Sequence, residues 1–272
     1  MELFSSLEEI LHTPDIAKRF SLFNQLYNAL HTLTLNHHHT ITPITDPIYQ
    51  SFCKVLHPTK ISRSKTINTD STMGGFLHSI AHIEYSAIDL ALDASYRFRN
   101  LPLEYYHNWL DVAKEEIGHF NALRALLNAC GYDYGDFPVH NNLFNAMKAT
   151  QIFSHRMALV HRGMEAGGLD ANPFVAQKVS LSSHHLKEKI LHELSIILKD
   201  EISHVSKGDK WWKYSKDPHS FKEILKLYNY SLPQVLNTVA RLQCGFTQEE
   251  LQDLTQIKDK NANYASELHP SY

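Results

Sequence analysis

The sequence predicts an all-α protein, with a four-helix bundle over residues 76–208 and shorter helices before and after it. Three observations lead there. Long stretches carry apolar residues at the three-and-four spacing of a helix, and they are separated by short breaks rich in Gly, Pro and Asn. Two of these stretches, A-K-E-E-I-G-H-F and K-D-E-I-S-H-V, place a His three residues after a Glu: Glu116 with His119, and Glu201 with His204. A third stretch, L-H-S-I-A-H-I-E-Y-S-A-I-D-L-A, sets Glu84 among Ile80, Ala87, Ile88 and Ala91.

Taken in order, Ser5-Ser6-Leu7-Glu8 resembles a capping box and opens a short helix that ends by Thr13. Thr13 then caps a second helix, with Pro14 at its first position, that runs to about Leu35. Residues 36–75 are rich in His, Thr, Ser, Pro and Lys and read as a long connection, with a short helix near residues 49–56, that wraps the bundle. Helix one covers residues 76–99 and helix two residues 103–129, closed by Gly131. Helix three covers residues 142–166 and is expected to break just after Glu165, at Gly167, Gly168, Asn172 and Pro173. Were helix four to begin at Pro173, Glu201 would lie about 40 Å along it, at about 1.5 Å per residue and far from the level of Glu165. The stretch 173–182 is therefore read as continuing helix three's direction after a kink. The chain then reverses at Ser183-His184-His185, and helix four starts near Leu186. Residues 218–230 and 233–242 give two further helices, Thr247-Gln248-Glu249-Glu250 opens a last one, and the tail is polar. The organisation is thus 1–75, N-terminal helices and connection; 76–208, bundle; 209–272, helical extension.

A Glu and a His three apart share one helix face and can serve one metal ion. The spacing alone is weak: with 19 His in 272 residues, roughly one Glu in fourteen has a His at that offset. Glu9 with His12 and Glu104 with His107 are such strays. Burial separates them, because the stripes around Glu116 (Trp109, Val112, Ala113, Phe120, Leu123) and Glu201 (Ile190, Leu194, Ile197, Leu198, Val205) are apolar. An isolated ionised carboxylate there costs several kcal/mol. Reflecting helices one and two about the turn at Asn100-Leu101-Pro102 sets Glu84 opposite residues near 117. The candidate ligands are Glu84, Glu116, His119, Glu165, Glu201 and His204, whose four carboxylates balance two divalent ions. In the competing reading some of these Glu pair with Arg97, Arg124, Arg156 or Arg162. His161, one turn before Glu165, is either an extra ligand or a buried hydrogen-bonding group. Asp200 and Glu115 stand one turn before the two motif histidines and are candidates to orient them; exposure is the alternative for both. His78 and His82 lie off the face of Glu84.

A formal charge of −3 gives no pull towards nucleic acid or membrane. Cys53, Cys130 and Cys244 are widely spaced and form no C-x-x-C, which argues against a zinc ribbon or disulfide framework. No apolar run approaches a membrane span and the N-terminus lacks a signal-like pattern, so a cytoplasmic location is expected. His37-His38-His39 reads as a solvated loop. Lys207, Lys210, Lys213 and Lys216 with Trp211 and Trp212 read as a helix end over core tryptophans, in preference to a surface for an anionic substrate or RNA.

The order Glu, E-x-x-H, Glu, E-x-x-H resembles the ferritin-like di-iron carboxylate superfamily. The runs A-H-I-E-Y-S-A-I-D-L-A-L-D, E-E-I-G-H-F, Y-G-D-F-P-V-H, M-E-A-G-G-L-D, D-E-I-S-H-V and A-R-L-Q-C-G-F-T-Q-E-E-L resemble a bacterial ferritin-like family labelled a domain of unknown function. The resemblance implies a ferritin-like bundle holding two iron ions, with manganese as second choice, on the six ligands named above. It further implies an oxidoreductase that takes dioxygen or peroxide and an unidentified electron donor, or else a non-catalytic metal-binding or structural protein. Radical-forming relatives place a Tyr one turn after the first motif's His; that position here is Leu123, so a stable tyrosyl radical of that kind is not expected. The long flanks on both sides of the bundle favour a monomer or dimer over a many-subunit shell.

Overall fold

The computed structural model describes residues 1–256, and every long element among them is helical; the polar tail expected beyond lies outside the described residues. In place of strands there are two isolated bridges, Glu2 with Thr34 and Val55 with Val139. No helix among the described residues is long and apolar enough to cross a membrane. Two compact units are present: residues 1–63 with 73–144, and residues 64–72 with 145 onward.

The first unit starts with α1 (Leu3–His12), which buries Leu3, Phe4, Leu7, Ile10 and Leu11. Its N-cap is Glu2, not the expected Ser5. The Glu2 carboxylate accepts from the backbone N–H groups of Phe4 and Ser5 at 3.1 and 2.7 Å. Two donors and a favourable helix dipole outweigh the single bond that a serine cap offers. Glu8, the expected capping-box partner, bonds His39 and Thr42. Likewise α2 (Ile16–Asn28) is capped by Asp15, not Thr13. It stops well short of Leu35, giving way to a 3₁₀ turn at Leu30–Thr32.

The two long helices of this unit are α3 (Asp70–Arg97) and α4 (Leu103–Ala129). They reverse at Asn100, which takes the left-handed backbone (φ 59°) that Asn tolerates. The hairpin is pinned by Tyr105 Oη donating to the Ala94 carbonyl at 2.9 Å and Tyr106 Oη to that of Phe98 at 3.1 Å. Most of α3 is buried around its whole circumference, charges included. Asp89 meets Arg19 of α2, which also donates to Tyr85 Oη at 3.1 Å, and Asp93 takes two bonds from Arg97. Buried charge on this scale is tolerable only because each is paired. In the 36–63 connection, Tyr49 and Cys53 are buried, and the expected short helix is a 3₁₀ turn at Ile48–Ser51.

Helix three departs from expectation. After α5 (Asn142–Ala149) the chain breaks at residues 150–152, where Arg156 Nε donates to Thr150 Oγ1 at 2.7 Å. It then runs through α6 (Phe153–Arg156) and a π-helix (Met157–Met164) into α7 (Glu165–Ser180). The predicted break after Glu165 is absent: Gly167, Gly168 and Pro173 all sit inside α7. Glycines in a helix cost about 1 kcal/mol each and do not compel a break. Here packing outweighs them: Asp170 pairs with buried Arg241, and Asn172 Nδ2 donates to the Leu194 carbonyl at 3.1 Å. The chain reverses at residues 181–186, as expected, into α8 (Lys187–Ser215).

Three short helices close the described chain: α9 (Phe221–Leu227), α10 (Thr238–Gln243) and α11 (Gln248–Gln256). The first two are shorter than their sequence patterns suggested. Trp211 is buried, Trp212 lies against Arg162 and Phe221, and Lys213 pairs with Asp209 at 2.7 Å, so this stretch is a helix end over core tryptophans.

Close approach of α8 to the π-helix depends on Gly208. A Cβ there would stand 2.5 Å from both the carbonyl carbon and oxygen of His161 and 2.9 Å from the Arg162 nitrogen. These are backbone atoms and cannot swing aside. Gly208→Ala is expected to cost about 1–3 kcal/mol, the usual range for overpacking. A lower urea midpoint with an unchanged m-value is the expected readout.

Candidate metal centre

In the first unit, α3 presents Glu84 and α4 presents Glu116 and His119, all three buried. The turn at Asn100 sets the level, as the reflection of the two helices requires. His119 Nδ1 lies 3.3 Å from Glu84 Oε2 and 3.5 Å from Glu116 Oε2. One ligand atom from each of the three falls within 4.8 Å of the others. Burial works against the imidazolium, but hydrogen bonding and charge from Glu116 and Glu84 outweigh it and push the His119 pKa up to about 11. Two carboxylates and an imidazole converging on one point are a donor set that iron, manganese or zinc accepts.

In the second unit the same donor types recur on α7 and α8. Their level follows from three contacts between antiparallel helices. Arg162 Nε meets Asp209 Oδ1 at 2.7 Å, Gly208 abuts His161, and Asn172 meets Leu194. Between these anchors Glu165 falls opposite residues near 203, so Glu201 and His204 flank its level. His204 Nδ1 is 3.7 Å from Glu201 Oε1, and His161 Nδ1 bonds Glu165 Oε1 at 2.9 Å. Of the remaining candidates, Asp200 and Glu115 are half-buried. The strays separate cleanly: Glu9 and Glu104 are exposed, Glu104 in the first turn of α4.

The four arginines that offered a competing explanation have other partners. Arg97 meets Asp93, Arg124 meets Asp133, Arg156 meets Thr150 and Met147, and Arg162 meets Asp209 and Glu250.

Sequence reasoning missed the aromatic layer beside Glu84. Tyr85, Phe120 and Tyr134 pack with ring centroids 5.0–5.1 Å apart. Tyr134 belongs to a stretch read as loop, and it is buried there because His82 Nδ1 meets its hydroxyl at 2.9 Å. His82 Nε2 lies 2.8 Å from the His140 carbonyl, and His78 Nε2 accepts from the Gly135 N–H at 2.9 Å. These two histidines therefore fasten the 132–140 loop to α3. The only sequence signal was their spacing, one turn apart and off the face of Glu84.

A family model described as a protein of unknown function, DUF455, matches residues 12–252. The chain belongs to this family. It is 34% identical over 282 residues to an uncharacterised protein of Haemophilus influenzae, covering 97% of both chains. No solved structure matches it. The family match spans α2 to α11 and therefore includes all six candidate ligands.

Burial holds His78 neutral and pushes its pKa down to about 4; burial and nearby Arg63 do the same for His140, also to about 4. The unfolded chain takes up these protons near the ordinary value of about 6.5. Between those pH values the unfolded state binds more protons, so stability falls as pH falls. The contribution of these two groups to the urea midpoint is expected to decline as pH falls from about 6.5 to about 4. His78→Gln should flatten part of that slope.

Proposed function

We propose that this chain is a metal-dependent oxidoreductase of the ferritin-like di-iron class, activating dioxygen or peroxide at a carboxylate-bridged dinuclear centre in a four-helix bundle. The observation that carries the reading is the buried convergence of Glu84, Glu116 and His119, at 3.3 and 3.5 Å from the imidazole nitrogen to the two carboxylates. Its support is the recurrence of the same donors, in the same order, at Glu165, Glu201 and His204. Glu84, Glu116 and His119 would hold one ion, Glu165, Glu201 and His204 would supply donors for the other, and four carboxylates would balance two divalent ions. When bound, the iron pair supplies one-electron chemistry and open coordination positions. The chain's own part is to exclude water and orient the ligands. Trp109, Val112, Phe120 and Leu123 wall the α4 side with apolar surface, and His161 holds Glu165 in place. Manganese is the second choice of metal.

Elemental analysis of protein expressed without added metal is expected to give close to two transition-metal ions per chain. After anaerobic loading with ferrous iron, the protein should consume oxygen rapidly on mixing with air-saturated buffer. Glu116→Ala and Glu201→Ala should each abolish the uptake while leaving helical circular dichroism largely unchanged, and Glu104→Ala should change neither. Iron-loaded protein inert to both dioxygen and peroxide would overturn the oxidoreductase reading in favour of a non-catalytic metal-binding protein. Elution from a sizing column as a large shell would point to storage instead.

A further inference from the structure

A second convergence of ligand atoms lies in the second unit and shares no residue with the carboxylate-rich centre. His155, at the third position of α6, is buried, and its Nδ1 is 2.8 Å from the hydroxyl of Tyr228. That bond settles which nitrogen faces inward: Nε2 is directed at Asp217 Oδ2, 3.7 Å away. The gap is too long for a hydrogen bond. It is close to the separation of two ligands each about 2.1 Å from one zinc-sized ion. Asp217 is itself oriented, by the Ser154 hydroxyl on one oxygen and by the backbone N–H of His219 on the other at 2.9 Å. His219 Nδ1 is hydrogen-bonded to Asp217 Oδ1 at 2.8 Å, a bond that a cation would replace, and its ring is 46% exposed, which gives a path from solvent.

The turn that carries Asp217 and His219 is fixed at both ends. Lys216 terminates α8 in the left-handed conformation (φ 52°). On the other side, Ser220 and Glu223 form a reciprocal capping box that starts α9. The two imidazoles meet at 82° with centroids 5.9 Å apart, and ligand atoms of all three residues lie within 4.8 Å of one another. A histidine whose far nitrogen is held by an oxygen is the usual arrangement around a bound transition metal.

We propose that His155, Asp217 and His219 form a mononuclear site for a first-row divalent cation, zinc by preference, with a fourth position open to solvent. The bound ion ties the turn after α8 to α6, at the entrance of the π-helix. This site does not depend on the oxidoreductase reading, since none of its ligands belongs to that centre.

The test is calorimetric titration of chelator-treated full-length protein with zinc, repeated with cobalt to read coordination from its visible absorption. Wild-type protein is expected to bind zinc at this site with micromolar or tighter affinity. His219→Ala and Asp217→Asn should weaken that binding at least tenfold with unchanged circular dichroism, whereas Glu116→Ala should leave it in place. Imidazole nitrogen resonances of His155 and His219 in the wild-type protein should shift on zinc addition, a readout that needs no variant. Wild-type and His219→Ala proteins with the same zinc stoichiometry and affinity would overturn the proposal, as would zinc addition that leaves both imidazoles unshifted. Loss of this binding in Glu116→Ala alone would assign the ion to the carboxylate-rich centre instead.

Discussion

The first unit is organised around the burial of two carboxylates. Glu84 and Glu116 are 4% and 0% exposed, in a hairpin whose other buried positions are mostly apolar. Ionised groups in such a place must be matched by opposite charge, and His119 provides one such match. The rest of the hairpin follows the same rule one layer further out. Arg19 reaches from α2 to Asp89, and Arg97 doubles back to Asp93, so these two buried acidic residues of α3 each meet a cation within the fold. Without those cations the helix would carry buried charge along much of its length, and a helix buried on all sides would not form.

The second unit solves a related problem by different means. Its long helix contains two glycines and a proline that in isolation favour termination, yet it runs from Glu165 to Ser180. What sustains it are two neighbouring helices: Asp170 reaches Arg241 of α10, Asn172 reaches the Leu194 carbonyl of α8, and Gly208 of α8 allows backbone to touch backbone at His161. Arg162 adds a second buried cation, seated among Trp212, Phe221 and Phe246 and paired with Asp209 and Glu250.

Helix existence was legible in the sequence wherever apolar periodicity was long, and this includes α3, α4 and α8 with all their candidate ligands. The distinction between Glu116 and Glu104 was legible too, because it depends only on the hydrophobicity of positions one turn away. What the sequence concealed depends on contacts far along the chain. The caps at Glu2 and Asp15 are the local exception: each carboxylate directly precedes the first turn and meets its N–H groups, whereas Ser5 lies inside α1 and Thr13 stands two residues before Asp15. The uninterrupted α7 was hidden because its compensation comes from Leu194 and Arg241. His155, Asp217 and His219 stand in no recognisable spacing, since two of them are 62 and 64 residues downstream of the first.

The π-helix between Met157 and Met164 carries a consequence for angular phase. An α-helix advances about 100° per residue, and a π-helix closes its turns with wider rings, so the segment resets the direction in which everything after it points. Glu165 is the first residue beyond it. Its aim towards the level of Glu201 and His204 is thus set by the accumulated rotation of the eight residues before it, not by its own surroundings. Rewinding those eight residues as α-helix, at about 100° each, would leave the helix unbroken and turn Glu165 off its face. In this chain the length of the π segment acts as a dial that selects which side of a continuous helix carries the carboxylate.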